Sequence, residues 1–243
     1  MAGCHEKLVG ARMCFSAEVS YSVAAALIPA GVIAMNRAAR RDLSYLAVAT
    51  LPLLFGLQQL FEGLVWSAAS TGGGDRIARY SMAYMFFSWL AWPVWVPFAT
   101  YFLEPCRRRH LYLVFAIVGG MFGGLQYVPY FAHEGWLTVK FFKHAISYEG
   151  TVLFDLIMRR ELTYAVYFFV ILVPLLTSSK RSVNVFGGLV AMVAAVTYLF
   201  FSWAHISVFC FGGALVSFYL VYMIFNETRT GPQSTKNEAR AVA

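Results

Sequence analysis

The chain has 243 residues, of which 60% are hydrophobic and only 13% charged, with a formal net charge of +7. Soluble domains carry about 25% charged residues, so half that share excludes an ordinary soluble domain and points to a chain that meets lipid. The basic residues close apolar runs, as at Arg40-Arg41, Arg107-Arg108-Arg109 and Lys180-Arg181, where they set topology and meet lipid headgroups; a nucleic-acid surface would gather them on one face.

Residues 1–12 are polar and unlike the rest, and read as a non-native or disordered extension, with Met13 as the alternative start. Apolar runs at 17–35, 43–69, 78–103, 111–129, 162–178, 184–202 and 205–226 follow. Each is near the ~20 residues needed to cross hydrocarbon. The expected fold is therefore an all-α integral membrane bundle of seven helices over residues 13–226, with a disordered tail from Glu227. Lys and Arg divide eleven against eight between the two sides. The positive-inside rule then puts the N-terminus outside and the C-terminus in the cytoplasm.

The second run carries Gln58, Gln59 and Glu62, with Trp66 closing the i, i+4, i+8 series that Gln58 and Glu62 begin. A carboxylate near the middle of a bilayer costs about 2.5–3.5 kcal/mol, so it is expected to face the bundle interior beside a partner. Pro29, Pro52, Pro93, Pro97 and Pro174 can kink their helices. The third run places Trp89 and Trp92 away from the interfaces, either as a wall around a ligand or as core packing. Gly119-Gly120 and Gly123-Gly124 in the fourth run, and Gly212-Gly213 with Ser217 in the seventh, allow close helix approach. The long connection 130–161 reads as a hairpin over Leu137–Tyr148, a turn at Glu149-Gly150 and an amphipathic piece from Val152 to Arg160, all over the outer mouth. Ser202 to His205 supplies the turn between the last two helices.

In this topology the polar residues collect at the outer end. Cys14 and Ser16 open the first helix, Gln58, Gln59, Glu62 and Trp66 lie in the second, and His144 and Tyr148 lie in the loop. His205, Ser207 and Cys210 begin the seventh. Together they predict one outward-facing polar pocket centred on Glu62, suited to ligand coordination, proton relay or acid–base work. Three alternatives stand beside it. The amides and carboxyl can simply cross-link helices, at about 1 kcal/mol per hydrogen bond or less. Glu62, His133, His144 and His205 could hold a metal with the thiols of Cys14 and Cys210. Those two thiols could instead pair as a disulfide.

Met13-Cys14-Phe15-Ser16-Ala17, the Gln-Gln-x-x-Glu-Gly-x-x-Trp helix from Gln58 to Trp66, Trp92 to Pro97 with Glu104-Pro105, and Ser207 to Phe211 together form a pattern. It resembles a bacterial family of small, functionally uncharacterised multi-span membrane proteins. The resemblance implies a bacterial cytoplasmic membrane location and concentrates interest on the outer half, and it carries over no activity. Three functions are consistent with the sequence. The first is binding or translocation of a small ligand or ion at Glu62. The second is a membrane-embedded, metal-dependent hydrolase using Glu62 and His144, with His205 as a further metal ligand. The third is an accessory subunit. The lipid bilayer is the partner the sequence names, and no cofactor is indicated.

Overall fold

The computed structural model describes residues 16–133, 135–142, 145–150, 159–201 and 204–228. Its long helices are Ala17–Arg41, Leu43–Ser70, Gly74–Tyr101, Cys106–Ala132, Arg160–Leu176, Arg181–Phe200 and His205–Glu227, referred to below as the first to the seventh. Six are long and apolar enough to cross a membrane; the fifth has 17 residues. The chain is thus an all-helical integral membrane protein, with one small hairpin among the described residues. Residues 1–12 and the tail beyond Thr228 lie outside the described residues.

Most helices outrun the apolar stretches because polar ends continue the backbone hydrogen bonding. The first runs on to Arg41, where the Arg40 guanidinium donates to Asn36. The second has a short 3-10 turn, Leu43–Tyr45, and breaks at Thr50, two residues before Pro52. There Trp95 of the third helix donates its indole N–H to Thr50 Oγ1 at 2.6 Å. The sixth helix ends at Phe200 and the seventh begins at His205, with Ala204 N–H bonded to the Phe201 carbonyl. Two helices therefore replace what could have been one long apolar rod; Ser202 and Trp203 lie outside the described residues.

Small residues set the helix contacts. Gly31 meets the Leu53 backbone and Gly56 meets Ile28, which packs the first helix tightly on the second. Gly63 leaves room for the ring of Tyr21, whose hydroxyl pairs with Ser67 at 2.8 Å. In the fourth helix Gly119 and Gly123 lie against the carbonyls of Pro93 and Trp89, whereas Gly124 has open space around it. Such seams let two helix backbones approach where lipid supplies no hydrophobic drive. Ile117, Met121, Leu125, Phe169, Met192 and Val196 point outward, an apolar surface that lipid accommodates and water would not.

The connection between the fourth and fifth helices forms an antiparallel hairpin, β1 Leu137–Phe141 with β2 Ile146–Gly150. Glu149 and Gly150 are strand residues opposite Thr138 and Leu137, not the expected turn. Just beyond the paired strands the Phe142 N–H donates to the Ala145 carbonyl at 2.9 Å. A methyl at Gly150 would run into the hydroxyl end of the Tyr130 ring, so the glycine serves that packing rather than a turn. The amphipathic piece expected from Val152 lies outside the described residues up to 158, and Arg160 opens the fifth helix.

At the far end of the bundle, Arg37 donates to Thr228 Oγ1, Tyr45 donates to Glu227, and the Lys180 ammonium sits 6.0 Å from the Tyr45 ring centre. Buried Glu104 ties the third-to-fourth connection to the fifth-to-sixth one. Its Oε1 accepts from the Ser178 hydroxyl at 2.5 Å and from the Ser179 N–H at 2.9 Å. Glu104→Ala strands the buried Ser178 hydroxyl, at about 1–3 kcal/mol, while the Ser179 N–H, on an exposed residue, can turn to water. Thermal unfolding in detergent should show the loss, with Glu104→Gln recovering part of it; an unchanged transition in the alanine variant refutes the latch.

Candidate functional site

The amides and carboxyl of the second helix turn inward, as an apolar surround demands of groups that must find partners. Gln58 and Gln59 are fully buried and Glu62 is 2% exposed. Gln58 bridges to the third helix twice: its Nε2 donates to Ser88 Oγ at 3.0 Å, and its Oε1 accepts from Trp92 Nε1 at 3.1 Å. The third helix reaches both through a π-helical stretch, Phe86–Ala91, just before Pro93. Such wide turns often occur at functional sites. Ser88 Oγ in turn lies 3.5 Å from the thiol of Cys210 on the seventh helix.

Glu62 addresses the seventh helix directly. The Ser207 hydroxyl donates to its Oε1, and Gln59 Nε2 donates to its Oε2 at 3.1 Å. No lysine or arginine pairs with it among the described residues. The Gln59 Oε1 oxygen and the Tyr148 hydroxyl are buried without a hydrogen-bond partner. Tyr148 reaches the cluster from β2 and stacks on Tyr84 with ring centres 4.7 Å apart. Burial, reinforced by the Glu62 carboxylate and then by Cys210, pushes the Tyr148 phenol well above its ordinary range. Tyr148 therefore stays an O–H donor throughout the physiological range.

Next to this cluster lies a cavity of about 720 Å³, a size that suits a small organic ligand. Ser88, Cys210 and Tyr148 belong to its wall and also to the Glu62 neighbourhood. Trp89, Tyr164, Tyr167, Phe168 and Phe209 give the wall an aromatic face beside its polar and aliphatic residues. Glu149, Arg160 and Glu161 stand where the hairpin and the fifth helix meet it.

The sequence-predicted residues thus separate into groups. Gln58, Gln59, Glu62, Ser207 and Cys210 come together in one buried cluster, and Tyr148 and His205 line the adjoining cavity. Trp66 departs from the cluster: it is half-buried and packs on Phe141 of the hairpin at 5.7 Å. Ser16 only opens the first helix, its carbonyl accepting from the Ser20 N–H. Cys14 and His144 lie outside the described residues, and with them the hydrolase and disulfide readings that need them; Cys210 is a free thiol. Among the described residues no three of His, Cys, Asp and Glu converge as a metal site would require. His133 stacks on Trp136 at 4.2 Å.

Sequence reasoning missed Ser88, Tyr84, Tyr164 and Tyr167. Ser88 left a signal, as a polar residue in the apolar run Met85 to Trp92. The tyrosines left none, because the same residue type serves at membrane interfaces and in cores.

No curated protein and no solved structure matches the chain. A family model does match, over residues 13–237, and it takes in every helix described above. The chain belongs to that family, a family of unknown function (DUF6629).

Proposed function

We propose that the chain crosses the membrane seven times and binds a small molecule in the cavity between its third, fifth, sixth and seventh helices. The Glu62 cluster stands directly behind the cavity wall. The observation that carries this reading is the double membership of Ser88, Cys210 and Tyr148, which line the cavity and touch the acid's surroundings. A ligand in the cavity therefore meets Ser88 and Cys210, which Gln58 ties to the buried cluster, and a tyrosine that feels the Glu62 carboxyl. Transport or sensing would use the same binding step.

The fifth helix is short, yet 17 residues span about 26 Å, near the lower limit for crossing hydrocarbon. An odd number of spans places the hairpin and the cavity on the side opposite Arg37, Lys180 and Thr228. With the basic end in the cytoplasm, the cavity faces outward, in a bacterial cytoplasmic membrane.

A second reading has support of its own. Both oxygens of Glu62 are engaged within the bundle, one of them by Ser207 of the seventh helix, as in a helix cross-link. Accessibility separates the two. In full-length protein in nanodiscs, Ile206→Cys in the cavity wall should react with methyl methanethiosulfonate. Met192→Cys, 56% exposed on the outer face of the sixth helix, should not, because a thiol in lipid does not ionise. Equal inertness at both positions leaves only the cross-link.

A further inference from the structure

We infer that the cavity selects a lipophilic organic cation, such as a quaternary ammonium attached to an apolar group. This rests on the cavity being the binding site, as proposed above, and adds the ligand's chemical class.

The first argument is the wall. Trp89 lies nearly parallel to Tyr164, with centres 6.0 Å apart, while Tyr167 meets Trp89 at 80° and Phe168 meets Phe209 at 83°. Perpendicular neighbours present ring faces in several directions, which is how aromatic cages surround a cation. A purely apolar ligand would need no such arrangement and would be served equally by leucine and valine.

Charge gives the second argument. The inner wall carries hydroxyl and thiol groups, with the Glu62 carboxyl behind them and no ammonium or guanidinium beside it among the described residues. The charged groups at the rim are largely spent on one another: Glu149 pairs with Lys140 at 2.6 Å, Glu161 with Arg159 at 3.4 Å, and Arg160 donates to the Gly150 carbonyl, so the discrimination falls to the inner wall. An anion seated against the inner wall would lose its water and meet no ammonium or guanidinium there among the described residues. A cation meets ring faces, oxygen acceptors and a nearby carboxyl.

The rim supplies the third argument. Tyr198 and Leu199, 63% and 72% exposed, share it with those charged groups. An apolar edge next to a charged one suits a molecule with one greasy and one charged end, arriving from the membrane surface.

The test uses three probes of one shape in nanodiscs holding the full-length Ile206→Cys protein: benzyltrimethylammonium, its neutral isostere neopentylbenzene, and benzylsulfonate. The neutral reagent methyl methanethiosulfonate reads protection of the introduced thiol. Benzyltrimethylammonium should slow the labelling at concentrations at least about ten-fold below the other two. Tyr164→Leu should weaken that protection about ten-fold while Tyr164→Phe keeps it, since the ring face and not the hydroxyl holds the cation. Size-exclusion profiles confirm that both variants are folded. Labelling that all three probes slow alike, or none slows, overturns the cation assignment and leaves the cavity standing. A thiol at position 206 that never labels overturns the cavity reading and this inference with it.

Discussion

Gly119→Ala and Gly123→Ala should each lower the unfolding temperature in detergent more than any other single methyl added to the fourth helix. A methyl at Gly119 runs into the carbonyl oxygen of Pro93, and one at Gly123 into that of Trp89. Both obstacles are backbone and cannot rotate away as a side chain would. The fourth helix must then move off the third, and the expected loss is toward the upper end of the ~1–3 kcal/mol typical of overpacking. Gly124→Ala is the internal control, because nothing lies within 4 Å of the added methyl. It should stay within about 0.5 kcal/mol of the parent. Trp89 lines the cavity, so the two damaging variants should also lose protection by benzyltrimethylammonium. A Gly119→Ala protein as stable as the Gly124→Ala one refutes the tight seam.

The second expectation concerns Glu62. Leucine there leaves the Ser207 hydroxyl and the Gln59 amide without their acceptor. A hydrogen bond between membrane helices is worth about 0.6–1.7 kcal/mol; the Ser207 bond is of that kind, while the Gln59 bond lies within the second helix, so the loss is expected at about 1–2 kcal/mol. Glutamine keeps the shape and an oxygen for Ser207, and Glu62→Gln should unfold within about 1 kcal/mol of the parent. Yet it removes the acid behind the cavity, and protection by benzyltrimethylammonium should weaken about ten-fold. Unfolding measured by tryptophan fluorescence and thiol protection measured by mass spectrometry therefore part company in this variant. Protection that survives Glu62→Gln intact reduces the residue to a helix cross-link.

The clustering of Gln58, Gln59, Glu62, Ser207 and Cys210 was legible because polar groups inside apolar runs have one affordable direction to point. That rule acts on each helix separately and needs no tertiary information. The cavity was not legible, since Tyr164, Tyr167 and Phe209 would appear identically in a solid core. What distinguishes a lined space from a filled one is volume, which depends on every neighbouring helix at once. Trp66 sat on the right helical face by periodicity but one turn too high, where the hairpin meets it at Phe141. Glu149-Gly150 misled for a related reason. The pair has turn chemistry, but its glycine answers to Tyr130, a residue twenty positions earlier.

The widened turn at Phe86–Ala91 divides the third helix into two segments of different phase. Each extra residue in a helix rotates all that follows by about 100°. A single helical wheel drawn through residues 74–101 therefore misplaces one half whichever half it fits. Trp89 and Trp92, three apart, would share a face on an unbroken α-helix; here Trp89 borders the cavity, and Trp92 stacks on Phe55 at 4.0 Å while holding Gln58. Deleting one residue ahead of Trp89, among Phe86 to Ser88, would restore the α-helical turn, bring the two indoles back into line and pull one of them from its place, so in this segment spacing matters more than composition.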